Sequence, residues 1–168
     1  MKKVYFYNYP VGPLGIAEDS GAISRIFFSD KKELPQNSRV KHIIIEKTSF
    51  ELEETPLIKK AADQLVEYFD GKRKRFDLPL LLNGTEFQRS VWNALLAIPY
   101  GETRSYGDIA SLVGNPKACR AVGMANNRNP IVIIVPCHRI IGKDLSLTGY
   151  GGGLANKKLL LELENALP

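Results

Sequence analysis

Along the first 46 residues, apolar side chains come in short runs rich in β-branched and aromatic types: VYFYNY, LGIA, AISRIFF and KHIIIE, with EDSG (Glu18 to Gly21) as a turn. Such runs suit a pleated surface and predict the strands of a small sheet. The period then changes. Leu57, Ile58, Ala61, Ala62, Leu65, Val66 and Phe69 recur at three- and four-residue steps, which gathers them on one side of a helix. Thr55-Pro56 starts that helix, Asp70-Gly71 stops it, and its apolar stripe is expected to pack on the sheet.

KRKRFDLPLLLNG carries charge, proline and glycine without helical period, so a domain boundary is expected between about Gly71 and Gly84, dividing the chain into 1–78 and 79–168. Thr85-Glu86-Phe87-Gln88 then has the form of a capping box, placed before a stripe of Phe87, Val91, Trp92, Leu95 and Leu96. Two shorter helical patterns, Ser105 to Val113 and Pro116 to Asn126, flank Gly114-Asn115 in the layout of a helix-turn-helix. Spacing alone describes an ordinary pair of packed helices equally well. IVIIV (Ile131 to Val135) reads as a fully buried strand ended by Pro136, which has no N–H for a ladder. Five glycines between Gly142 and Gly153 make a pliant loop without the P-loop pattern, and LANKKLLLELENAL predicts a C-terminal helix.

Cys137 stands where that apolar run becomes a turn, with His138 and Arg139 directly behind it. A free thiol, with a pKa near 8.5, needs a positive or proton-accepting neighbour to act as a nucleophile. Adjacent side chains on a strand point to opposite faces, so His138 is expected to reach Cys137 through a bridging water. Glu164 falls on the apolar side of the C-terminal helix with Leu160, Leu161 and Leu167, where a carboxylate needs a partner to hold the imidazole or another group. Periodicity also fits a solvated rim position for Glu164, and the pattern around Cys137 also fits an inert buried thiol. Cys119, with no neighbouring histidine, reads as structural.

Composition narrows the classes. Two cysteines and two histidines make neither a disulfide framework nor a Cys/His zinc spacing, so no metal or cofactor is expected. No apolar stretch reaches the length of a membrane helix and the N-terminus lacks the features of a signal peptide, which predicts a cytoplasmic protein without a membrane partner. A net charge of +5 favours a polyanionic partner, although KRKR (Lys72 to Arg75) is most simply a solvated turn.

IVPCHRI, with Asn129-Pro130 and RAVG (Arg120 to Gly123) upstream, YGDIA (Tyr106 to Ala110) before them and GYGGGLA (Gly149 to Ala155) downstream, resembles the O6-alkylguanine-DNA alkyltransferases, also called methylated-DNA–protein-cysteine methyltransferases. The resemblance covers roughly Thr85 to Glu164, and VGPLGIAEDSGAISRIFF is similar to the family's N-terminal domain. It implies an α+β protein: a small β-sheet with a packed helix, ribonuclease H-like, followed by a mainly helical, winged-helix-like domain carrying the helix-turn-helix. It implies a monomer acting on double-stranded DNA that carries O6-alkylguanine, with transfer of the alkyl group to Cys137, one lesion per molecule, and no cofactor.

Position by position, the resemblance makes Cys137 the acceptor, His138 the water-mediated base, Glu164 the residue orienting it, Asn129 a brace of the active-site turn, and Tyr106 a donor to the departing base. Tyr150 walls the pocket, with Gly151, Lys157 and Ile140 beside the substrate. The base must leave the duplex stack. Arg120 then fills its place from the second helix, whose small Ala118, Ala121 and Gly123 allow close approach to the minor groove, and Arg139 joins the DNA-binding set. The chain departs from some members in lacking zinc-ligand candidates in its N-terminal half, and relatives differ at Val132 and Asn126 near the pocket, which leaves the range of alkyl groups and O4-methylthymine undecided. Three rivals stand beside this reading: an alkyltransferase-like protein that binds damage without repair, a group lacking the cysteine retained here; a helix-turn-helix regulator; and a cysteine hydrolase using Cys137 and His138.

Overall fold

The computed structural model describes residues 1–30 and 40–168 and divides into two units, Met1–Leu81 and Leu82–Pro168. In the first, β1 (Lys3–Tyr9), β2 (Gly12–Asp19) and β3 (Ala22–Phe28) form an antiparallel meander. EDSG makes the expected turn, with Ser20 and Gly21 both at positive φ, the conformation that matches a tight hairpin to strand twist. β4 (His42–Ile45) and β5 (Thr48–Leu52) form a second hairpin whose β5 runs parallel to β1, so the sheet order is β3-β2-β1-β5-β4. The polar-rich β5 is not predicted by apolar patterning. Its turn residues Glu46 and Lys47 have positive φ without the glycine or asparagine that signals such a turn.

Helix α1 (Pro56–Phe69) packs on β1, β2 and β3. Thr55 caps it by accepting from Ile58 N at 3.1 Å, and Pro56 occupies the first helical position, where its missing N–H costs nothing. The stripe buries Ile58, Ala61, Ala62 and Leu65 as expected, but Tyr68 and Gln64 replace Val66, which is exposed. Gln64 is satisfied inside because its amide donates to Asp77 O and accepts from Asp77 N. The chain leaves this unit at 81/82 rather than 78/79. Ile23 N donates to Pro79 O at 2.8 Å and Leu81 N to Ile23 O at 2.9 Å, tying those residues to the edge of β3.

The second unit holds α2 (Glu86–Leu96), β6 (Arg104–Ser105), α3 (Tyr106–Leu112), α4 (Cys119–Asn127), a 3-10 turn at Cys137–Arg139, β7 (Ile140–Ile141) and α5 (Leu154–Leu163). Thr85 and Gln88 close the expected capping box on α2, and Ser105 with Asp108 closes another on α3. Helices α2, α3 and α4 pack on one another, and the buried Trp92 indole donates to Ala125 O at 2.8 Å. α4 begins at Cys119, not Pro116, and its N-cap Ala118 has no side chain able to cap. β6 pairs in parallel with β7, Arg104 opposite Ile140 and Ser105 opposite Ile141, which fixes the segment after Cys137 to the start of α3.

IVIIV corrects the sequence reading. Ile131, Ile133, Ile134 and Val135 are buried as expected, yet they form a compact turn instead of a strand. Ile134 N donates to Val132 O, Val135 N to Ile131 O, and Ile133 takes φ 72°, a left-handed conformation that β-branched residues rarely adopt. Apolar content reports burial, not backbone direction. α5 also ends earlier than its apolar pattern, at Leu163. Asn165 (φ 52°) donates to Glu162 O and Ala166 to Leu161 O, the two bonds of a Schellman stop, which leaves Glu164 as the capping residue.

Candidate active site

The turn presents Cys137 as the first residue of the 3-10 segment, 4% exposed. Two asparagines hold its backbone. Asn129 Nδ2 donates to Val135 O at 2.7 Å while its Oδ1 accepts from Ile131 N at 2.9 Å, so one side chain spans the base of the turn. Asn126, from α4, donates Nδ2 to Cys137 O at 3.4 Å.

The tight turn carries His138 inward, where it is fully buried, and its Nε2 lies 2.8 Å from Glu164 Oε1. Burial lowers the His138 pKa more than Glu164 raises it, so the ring is neutral. A neutral imidazole has one N–H. A carboxylate can only accept, so that N–H sits on Nε2 and Nδ1 carries the lone pair. Nδ1 has no hydrogen-bond partner among the described residues. The arrangement is therefore an imidazole held by a carboxylate, a geometry able to serve as an oriented base.

Glu164 is 2% exposed. Burial pushes its carboxyl up, but hydrogen bonds from His138 and Arg139 and their charges overcome this and bring it to about 2. Arg139 donates Nε to Oε2 at 2.8 Å and Nη2 to Oε1 at 3.0 Å, and Nη1 to Ile98 O at 2.7 Å. Gly101 N adds a longer contact to Oε2, at 3.4 Å. Here a second expectation is corrected: Arg139 does not lie on a DNA-facing surface. It is 7% exposed and its donors are spent on Glu164 and the end of α2, because a buried carboxylate requires a bidentate cation. Tyr100, which no sequence signal marked, lies under the Arg139 guanidinium at 5.8 Å and donates its hydroxyl to Leu163 O.

Burial pushes the Cys137 thiol up to about 11, opposed by a hydrogen bond from Asn129 and the charge of Lys157. The sulfur is thus held as a protonated thiol at neutral pH, and it would need a base to take its proton before it could act as a nucleophile. Lys157 is fully buried and donates Nζ to the carbonyls of Ile140 and, at 2.8 Å, Thr148, strapping the glycine-rich segment to β7. Burial lowers its ammonium to about 8, with the nearby Cys137 sulfur opposing that shift. Burial likewise raises the Tyr150 phenol, with the Cys137 and Glu164 charges adding to the effect. Gly151 is exposed in the adjoining loop.

Tyr106 opens α3 and donates its hydroxyl to Thr148 O at 3.2 Å, across the loop that Lys157 straps. A Cβ on Gly123 would lie 3.6 Å from the Tyr106 ring, so α4 approaches it closely. On α4, Arg120 and Ala121 are exposed and Ala118 precedes them half-buried. No carboxylate occurs between Asp108 and Asp144, a stretch containing Lys117, Arg120 and Arg128 on the surface. Among the described residues no three His, Cys, Asp or Glu side chains gather as a metal site, and no helix is long and apolar enough to cross a membrane.

Residues 3–82 match the family described as 6-O-methylguanine DNA methyltransferase, ribonuclease-like domain, and residues 86–166 match its DNA binding domain. The chain is 50% identical over 160 residues to the methylated-DNA–protein-cysteine methyltransferase of Methanosarcina acetivorans, covering 95% of this chain and 96% of that one. It is 51% identical over 161 residues to the constitutive enzyme of that name from Bacillus subtilis, covering 92% and 90%. Among solved structures, the O6-methylguanine methyltransferase of Mycobacterium tuberculosis matches with a TM-score of 0.82 at 44% identity, over 100% of this chain and 95% of that one. Mycobacterium tuberculosis OGT in complex with DNA matches at 0.81 and 44% identity, over 98% and 93%.

Proposed function

This chain belongs to the 6-O-methylguanine DNA methyltransferase family of DNA-repair enzymes, and we propose that it moves the alkyl group of O6-alkylguanine in double-stranded DNA onto its own Cys137, once per molecule. DNA is its partner. The observation that carries the reading of the site is the His138–Glu164 pair beside Cys137, with Nδ1 left as the acceptor.

The step balances without a cofactor. Cys137 Sγ gives its proton to His138 Nδ1 through one water, while Glu164, held ionised by Arg139, stabilises the imidazolium. The sulfur attacks the alkyl carbon in line; the S–C bond forms and the C–O6 bond breaks. The electron pair passes to the guanine ring, which regains a C6 carbonyl and takes a proton at N1, with the Tyr106 hydroxyl bonding to the departing base. A thioether is stable in water, so the protein is consumed. Arg120 occupies the gap left by the everted nucleotide, and the small residues of α4 let the helix lie in the minor groove. Completion of the site by side chains of one chain fits action as a monomer, and the absence of a membrane-length helix among the described residues fits a cytoplasmic location.

Duplex DNA carrying a radiolabelled methyl group on guanine O6 tests the proposal. Label should appear on the Cys137 peptide up to one per chain and be lost in Cys137→Ala. Continued turnover would favour a cysteine hydrolase; binding without transfer would favour a regulator or a damage-binding protein.

A further inference from the structure

We infer that Tyr100 is a positioning residue for the transfer step: its ring, laid against the Arg139 guanidinium, and its hydroxyl, bonded to the carbonyl of Leu163, hold the Glu164 carboxylate in the orientation that supports His138 as a base. The inference rests on the function proposed above and gives a role to the turn that follows α2, which acts through Arg139 and the end of α5 and not on the reacting atoms.

Glu164 is the C-cap of α5, where carbonyls have no partner within the helix. The bonds from Asn165 and Ala166 take Glu162 O and Leu161 O, and neither reaches Leu163 O. The Tyr100 hydroxyl supplies that carbonyl at 3.2 Å, and so ties down the peptide unit joining Leu163 to Glu164.

Arg139 is held from a second direction. Its nitrogens are committed, Nε and Nη2 to Glu164 and Nη1 to Ile98 O, which leaves the flat face of the guanidinium. The half-buried ring of Tyr100 takes that face at 5.8 Å, within the range of a cation–π contact. Gly101 completes the wrap. Its N–H donates to Glu164 Oε2 at 3.4 Å, and at φ 81° a Cβ there would come within 3.1 Å of Glu164 O, a close approach that suits glycine. Ile98 and Gly101 make these contacts through the backbone. Tyr100 makes its two through a side chain, so it is the point at which substitution loosens the carboxylate while both His138 and Arg139 stay in place.

The consequence is chemical. A carboxylate free to rotate stabilises the imidazolium less, so the thiol proton is harder to move and transfer needs a higher pH. The charged groups acting on His138 are Glu164, Arg139 and Lys157, while burial keeps the phenols of Tyr100 and Tyr150 neutral. Of those three charges only that of Glu164 favours the protonated ring.

The test follows single-turnover transfer from free O6-benzylguanine, which needs no base eversion, from pH 6 to 10 in wild type, Tyr100→Phe and Tyr100→Leu, beside the proton NMR signal of the His138 Nε2–H. Tyr100→Leu should react about tenfold more slowly at neutral pH, with its rate–pH profile displaced upward by about one unit, and its Nε2–H signal should shift or broaden. Tyr100→Phe keeps the ring on Arg139 and should stay within about threefold of wild type. A merely structural role would lower the denaturation midpoint yet leave the profile and the signal of the folded protein unmoved, and that result would overturn the inference. Should Tyr100→Leu fail to fold, Tyr100→Phe decides alone: loss of the Leu163 bond should still displace its profile upward, and an unmoved profile would count against the positioning role. Wild type left without a benzyl group on Cys137 would overturn the functional reading, and the His138 signal would then still report whether Tyr100 holds the pair.

Discussion

Arg139 closes on Glu164 with two nitrogens, Nε at 2.8 Å and Nη2 at 3.0 Å, while the preceding residue, His138, occupies the same carboxylate at 2.8 Å. One buried carboxylate thus serves a structural cation and the candidate base together. Removing the cation strands a charge in the interior. Arg139→Leu should lower stability by about 3–5 kcal/mol, read from chemical denaturation midpoints. Arg139→Lys should recover only part of that loss, because one ammonium cannot bridge both carboxylate oxygens and also reach Ile98 O.

Acid should expose the same pair. Burial raises the Glu164 carboxyl, but His138 and Arg139 outweigh it and bring the folded value to about 2, against an ordinary 4.5. Between those values the unfolded chain binds more protons than the folded one. The stabilisation is therefore complete above about pH 4.5 and drains away as pH falls towards 2. His138, lowered by burial, adds a loss in the same direction that begins below its ordinary 6.5. Denaturation curves from pH 7 to 2.5 should show wild type losing about 3 kcal/mol more than Glu164→Gln over the lower part of that range.

Asn129 makes two bonds across the turn that carries Cys137, to Val135 O and from Ile131 N. Asn129→Ala leaves both partners inside without replacements. Stability should fall by about 2 kcal/mol, and transfer should slow equally from duplex DNA and from free O6-benzylguanine, since the displaced element is the nucleophile itself. Normal transfer in a destabilised variant would separate the brace from the chemistry.

Arg120 is exposed on α4, away from the buried network. Arg120→Ala should slow transfer from duplex DNA roughly tenfold or more, because the everted state loses the side chain that fills the stack. Transfer from free O6-benzylguanine should stay within about twofold. Equal losses in the two assays would rule out the wedge role. Arg139, being internal, should contribute nothing to the salt dependence of DNA binding once stability is accounted for.

Where structure depends on near neighbours, the sequence was readable. The capping box at Thr85, the Thr55-Pro56 helix start and the apolar sides of α1 and α2 follow from groups within four residues of each other. Glu164 was found by the same means, as a carboxylate on an apolar helix side that needed a partner. The hairpin at Glu46-Lys47 was not readable, since its positive φ values fall on residues that do not advertise them. IVIIV was correctly assigned to the interior and wrongly to a strand, because a buried turn stitched by Asn129 and a buried strand present the same residue types.

Local chemistry in the chain therefore settled which segments are helical and which are internal, and singled out Cys137-His138 as the candidate pair. What required the folded molecule were identities of partners far apart in sequence: which nitrogen of His138 faces Glu164, that Arg139 turns inward to the same carboxylate, and that Lys157 ties down Ile140. The physical reason is that ionisation inside a protein depends on the surrounding charges and the loss of water. Both are set by residues brought together from α2, α4, the Cys137 turn and α5, and no window along the chain contains them all.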